Sequence, residues 1–189
     1  RSEMLQPLSA LTALTGLDLS FCQLDRIPAP LLSLSASLVE LQLTANPELV
    51  LVNFPAGLTR LDLSECHGMR QLPQQLAALA PSLRSLGLAG NKQLGRQPPD
   101  STLAPLMHLT RLVQLDLRNC ALCSLPAHLL SLKAVTDLRL SWNTGLSRDS
   151  ESVWRVLEGL PELESLELVR CGLHSIPGGL VVRGVHVKF

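Results

Sequence analysis

The sequence predicts one α/β solenoid domain: a right-handed coil with a parallel sheet on its concave face and short helices, 3-10 turns and loops on its convex face. Three observations carry that expectation. A nine-residue pattern recurs seven times along 189 residues, leucine makes up roughly a quarter of the chain, and aromatic residues are scarce, with no Tyr and three Phe. So uniformly aliphatic a composition suits regular stacking, in which like side chains meet at a fixed period.

The pattern is L-x-x-L-x-L-x-x-(N or C). It starts at Leu14, Leu38, Leu58, Leu83, Leu112, Val135 and Leu163, with a truncated eighth match, VRGVHV, from Val182. Successive starts lie 19 to 29 residues apart, the length of one stacking unit. Alternation sends Leu17 and Leu19, or Leu115 and Leu117, to one face of a short strand and Asp18 or Asp116 to the other. One coil buries too little to stand alone, so coils pile up with strands about 4.8 Å apart. We read residues 1–189 as a single domain of seven full repeats plus the truncated eighth. Because it begins at Arg1 and stops in an apparent strand, we expect a piece of a longer protein.

Between the strands, IPAPLLSL from Ile27, LPQQLAAL from Leu72 and LPAHLLSL from Leu125 read as helical turns. Pro28, Pro73 and Pro126 suit a first helical position, where a missing N–H costs nothing. Residues 149–160 read as the longest helix, with Trp154 on its core side beside Val153, Val156, Leu157 and Leu160. At the last pattern position Cys22, Cys66, Cys120 and Cys171 alternate with Asn46, Asn91 and Asn143. The Asn repeats carry an extra residue (NPEL, NKQL, NTGL) and lose the Leu-Pro ending, so convex structure should alternate as well.

These repeats resemble the leucine-rich-repeat (LRR) family over nearly the whole chain from about Leu11 onward. The Leu/Ile-Pro ending followed by spaced leucines is similar to intracellular members of the plant Ras-group-related and Scribble-like kinds. The resemblance implies a leucine-rich-repeat horseshoe used as a protein-binding scaffold.

Charge narrows the partners. Lys plus Arg equals Asp plus Glu at 16 each, so no overall field draws in phosphate backbones or anionic lipid. No apolar run reaches the roughly 18 residues of a membrane span. We therefore expect another protein as partner, no nucleic acid, no membrane insertion and a monomeric chain. No secretion signal, cysteine-rich cap or N-x-S/T site is visible, which points to an intracellular, cytoplasmic location.

The candidate chemistry is thin. Four cysteines take the inward Asn position, where Cys serves as a small buried hydrophobe. Alternate strands lie about 9.6 Å apart, too far for a disulfide. Cys120 and Cys123 form a lone C-x-x-C with no second ligand pair. His67, His108, His128, His174 and His186 are scattered and read as surface or loop residues. The strand carboxylates lie on an open face without a water-excluding pocket. No metal, no cofactor and no catalytic residue are expected.

What remains is the outward strand face. One ladder reads Asp18, Gln42, Asp62, Gly87, Asp116, Arg139, Glu167 and His186. Another, just past the strands, reads Phe21, Ala45, Glu65, Gly90, Asn119, Trp142 and Arg170. Between them run Ser20, Thr44, Ser64, Ala89, Arg118, Ser141 and Val169. From these we select Asp62, Glu65, Asp116, Arg118, Asn119, Arg139, Trp142, Glu167 and Arg170 as the partner-binding set. Arg118, Arg139 and Arg170 should cluster around Trp142, since Trp and Arg dominate binding energy at interfaces. The alternative is a recognition domain of a larger enzyme or receptor, such as a receptor-like kinase, a ubiquitin ligase or an immune receptor.

Overall fold

The computed structural model describes residue 8, residues 10–51 and residues 53–189; the first seven positions of the expected domain lie outside it. Eight three-residue strands follow the repeats: β1 (Gly16–Asp18), β2 (Glu40–Gln42), β3 (Arg60–Asp62), β4 (Ser85–Gly87), β5 (Gln114–Asp116), β6 (Asp137–Arg139), β7 (Ser165–Glu167) and β8 (His186–Lys188). They pair in chain order in one open sheet. Every pairing is parallel, with pattern leucines in register from Leu17–Leu41 to Leu138–Leu166. Leu61, Leu115 and Leu166 are almost fully buried in one continuous core. Leu17 is half-buried, because among the described residues its strand has a neighbour on one side only.

The eighth strand departs from the expected register. Val187, not Val185, pairs with Leu166, so Lys188 rather than His186 joins the ladder beside Glu167. Val182, the expected first pattern residue, ends helix α3 (Gly178–Val182) and is 87% exposed. Gly184 at φ 71° then closes the helix, with the Val185 amide bonded to the Leu180 carbonyl. That cap delays the strand by two residues.

The three Pro-leucine segments are 3-10 turns, Ala29–Leu34, Gln74–Leu79 and Ala127–Ser131. Inward leucines three apart (Leu31 and Leu34, Leu76 and Leu79, Leu129 and Leu132) favour this geometry, since positions i and i+3 eclipse on a 3-10 helix. The prolines stand one residue earlier than expected, as N-caps with extended ψ of 128° to 143°. Their carbonyls accept the first turn's bonds from Leu31, Leu76 and Leu129.

The convex face does alternate in part. The fourth coil carries a turn at Leu94–Arg96, helix α1 (Pro99–Thr102) and a turn at Ala104–His108. The sixth carries a turn at Thr144–Asp149 and helix α2 (Ser150–Glu158). Asp149 caps α2 by accepting the Ser152 amide at 3.2 Å, and Trp154 is partly buried against the core, as its helical position predicts. The third coil breaks the expected alternation: Cys66-His67-Gly68-Met69 also has the extra residue, and Met69 takes the inward place of Leu49 in the second coil.

Candidate protein-binding face

After each strand's last inward leucine the chain makes the same turn. Phe21, Ala45, Glu65, Asn119, Trp142 and Arg170 all adopt left-handed backbone with φ between 54° and 68°, and Gly90 has φ 78°. A non-glycine residue in this region costs about 1 kcal/mol. The surroundings overcome that cost: the amides of Phe21, Ala45, Glu65, Gly90, Asn119 and Trp142 each donate to the next coil. The turn sets this ladder on the margin of the concave face and leaves Phe21 and Trp142 exposed.

Beneath the turn, the Asn position ties coils together. Asn143 is fully buried. Its Nδ2 donates to the carbonyls of Leu117 and Leu140, at 2.8 and 2.6 Å, and its Oδ1 accepts the amides of Cys120 and Leu122, both at 3.0 Å. Asn46 serves the first coil similarly, bonding the Leu24 amide and the Leu19 and Leu43 carbonyls. Asn91 bonds the Leu63 and Leu88 carbonyls, but its buried Oδ1 has no protein partner. The longer third-coil loop explains this, because the Gly68 amide turns to the Pro47 carbonyl instead.

In the cysteine coils a thiol makes one bond to the preceding coil: Cys66 to Leu43, Cys120 to Leu88 and Cys171 to Leu140. Burial raises all three thiol pKa values and pushes Cys120 up to about 12, so the Cys120 member of the C-x-x-C pair stays a protonated, enclosed thiol. Cys22 departs from expectation: it is exposed, as is Cys123, and all five cysteines are unpaired. We predict that a thiol reagent at neutral pH labels Cys22 and Cys123 in the folded protein, and the other three only after denaturation. Labelling of Cys120 as fast as Cys123 would contradict the buried assignment. His128 is also more enclosed than expected; its Nε2 is buried without a partner.

The structure brings only part of the predicted binding set together. Arg170 stacks on Trp142, its guanidinium carbon 4.6 Å from the ring centroid. Arg118 instead forks onto Asp116, with Nη2 2.6 Å from Oδ2, and Arg139 pairs with Asp137 at 2.8 Å. The expected three-arginine cluster is thus divided, because a carboxylate two residues away is within shorter reach than the indole. Asp18, Asp62 and Asp116 also brace the turn, each accepting the amide two residues on at 2.8 to 3.0 Å. These Ser20 bonds hold the Asp18 carboxyl below its usual range. Glu167 accepts the Ser141 hydroxyl at 2.8 Å, with Lys188 at 4.0 Å. Glu65 lies 3.2 Å from His67. Asn119 occupies the rung beside Trp142.

One ladder escaped the sequence selection: the first strand position, including Glu40, Arg60, Gln114 and Asp137. The signal was present, since residues two apart share a strand face. Arg60 forks onto Glu40 at 2.6 and 3.1 Å, which lowers the Glu40 pKa. With Asp62, Gly87, Asp116 and Arg139 these residues line a shallow trough of about 230 Å³. Its floor is low at the fourth coil, where Asp62 leans across; a Cβ on Gly87 would lie 2.6 Å from Asp62 Oδ1. Glu65 leans over Gly90 in the same way. Among the described residues, no His/Cys/Asp/Glu group could hold a metal, and no helix is long and apolar enough to cross a membrane.

No protein-family model matches the sequence, and no curated protein matches it. Solved structures do share its architecture. The leucine-rich repeat-containing protein LegL7 from Legionella pneumophila is 21% identical over 90% of this chain and 71% of its own, with a TM-score of 0.50. An LRR protein from Leptospira interrogans is 21% identical over 98% of this chain, which spans half of that structure, with a TM-score of 0.58. The leucine-rich repeat domain of the type III effector XopL is 20% identical over 96% of this chain and 79% of its own, with a TM-score of 0.58. With its chain-ordered parallel sheet, repeated buried leucines and these likenesses, the chain has the leucine-rich-repeat solenoid fold.

Proposed function

We propose that this chain is a protein-interaction module, a scaffold or regulatory sensor of the intracellular Ras-group-related or Scribble-like style, that holds another protein on its concave strand face. The observation that carries this reading is Trp142. An exposed indole on left-handed backbone, backed by Arg170, is an amphipathic anchor with little rotamer entropy left to lose on binding. The proposed contact set is Asp62, Glu65, Asp116, Arg118, Asn119, Arg139, Trp142, Glu167 and Arg170. In this reading the domain is a monomer and performs no catalysis, since the face offers an open trough rather than an enclosed pocket.

The test is affinity capture with this chain as bait, followed by titration of the purified partner. Trp142→Ala is expected to weaken binding by about 2 kcal/mol, roughly thirtyfold. Arg139→Glu should weaken it less, chiefly through the association rate. Both variants should melt like the parent, because neither side chain is in the core. Parental affinity in both would remove this patch from the interface. A second reading is supported by XopL, whose similar structure is one domain of an effector: the same face would then be the recognition part of a larger enzyme or receptor.

A further inference from the structure

We infer that the segment bound on this face is an extended polypeptide of opposite charge at its two ends, basic where it crosses the third and fourth coils and acidic where it reaches the seventh. This rests on the protein-binding reading above and names the chemistry of the partner.

Most charges on the face are already matched. Arg60 is held by Glu40, Arg118 by Asp116 and Arg139 by Asp137. The exceptions are carboxylates on one side, with Asp18 on the first coil beyond them, and an arginine on the other. Among the described residues, Asp62 accepts only the Ser64 amide, and Glu65 has only the His67 imidazole. Both carboxylates lie over the fourth coil, whose outward positions are Ser85, Gly87, Ala89 and Gly90. Arg84 brings no compensation, because its guanidinium donates to the Ser82 and Leu83 carbonyls. A lysine or arginine entering above Gly87 would therefore meet two carboxylates and no bulk.

At the other end Arg170 has no carboxylate partner among the described residues and rests on Trp142. A stacked guanidinium keeps its N–H edge free to fork onto a carboxylate.

From β3 to β7 is four strand steps, about 19 Å. That exceeds the screening length of roughly 8 Å at physiological salt, so the two ends do not neutralise each other and each is left for a ligand. An extended chain crosses 19 Å in about six residues. A uniformly acidic or uniformly basic segment would be repelled at one end.

Fluorescence of Trp142 reads the test once Trp154→Phe has removed the other tryptophan. The probes are short synthetic peptides of identical composition. One set carries an Arg pair and a Glu pair about six residues apart, in both chain directions; the other interleaves the same charges. The segregated peptide in one direction is expected to bind about tenfold tighter than the interleaved one at low salt, with the advantage shrinking as salt is added. Asp62→Asn with Glu65→Gln, or Arg170→Gln, should each abolish the advantage, and Arg148→Gln, at an exposed position of the 144–149 turn, should not. Equal affinity for both peptides, or no response to the segregated one, overturns the inference. Partner capture that depends on Trp142 would still stand in that case, so the two readings fail separately.

Discussion

Asn143→Ala is expected to lower folding stability by about 3–5 kcal/mol. The side chain makes four hydrogen bonds to backbone groups of the fifth and sixth coils. Alanine leaves the Cys120 and Leu122 amides and the Leu117 carbonyl short of partners in a site that excludes water, while the Leu140 carbonyl keeps only the Cys171 thiol; each unmatched group costs about 1–3 kcal/mol less whatever relaxation recovers. Cysteine occupies the same rung in neighbouring coils but makes a single thiol bond to the preceding coil. Asn143→Cys should therefore rescue only a small part of the loss. Asn91→Ala should cost less than Asn143→Ala, because the Asn91 Oδ1 has no amide to abandon. Urea denaturation of the three variants ranks them, and an Asn91→Ala loss equal to that of Asn143→Ala would refute the bonding account. The same contrast predicts slower hydrogen exchange at the Cys120 and Leu122 amides than at amides facing solvent.

The second large effect is Leu115→Ala, expected to cost about 3–5 kcal/mol. Leu115 is 1% exposed in a middle coil, with the pattern leucines Leu86 and Leu138 on its two flanking strands. Flanking coils hold the cavity open from both sides, so the truncation loses packing as well as transfer free energy. The equivalent Leu17→Ala should cost about 1 kcal/mol, since Leu17 is only half-buried and has one flanking strand among the described residues. Thermal or urea unfolding of the pair measures the gradient. Equal losses would mean that stability is not passed from coil to coil as a stacked solenoid requires.

Much of the proposed binding face was legible because strand alternation has a period of two. Asp62, Asp116, Arg139 and Glu167 could be placed outward, and Trp142 beside Arg170 on one ladder, by counting alone. Their pairings could not be counted. Whether Arg118 reaches toward Trp142 or folds onto Asp116 depends on rotamers and on carboxylates two residues away, which a ladder diagram does not contain. The eighth strand shows the same limit in the backbone. A shift of two residues keeps Val185 and Val187 on the inward face, so alternation alone accepts both registers; the α3 cap at Gly184 selects one.

The repeat, the parallel sheet, the leucine core and the Asn/Cys rung could all be read from residue order, because each follows from spacing and from the need to bury aliphatic surface. Tertiary structure alone decided which charges cancel, which thiols are enclosed and how far the third-coil loop runs. Those outcomes depend on distances of a few ångströms between side chains from different coils, and a one-dimensional period carries no information at that scale.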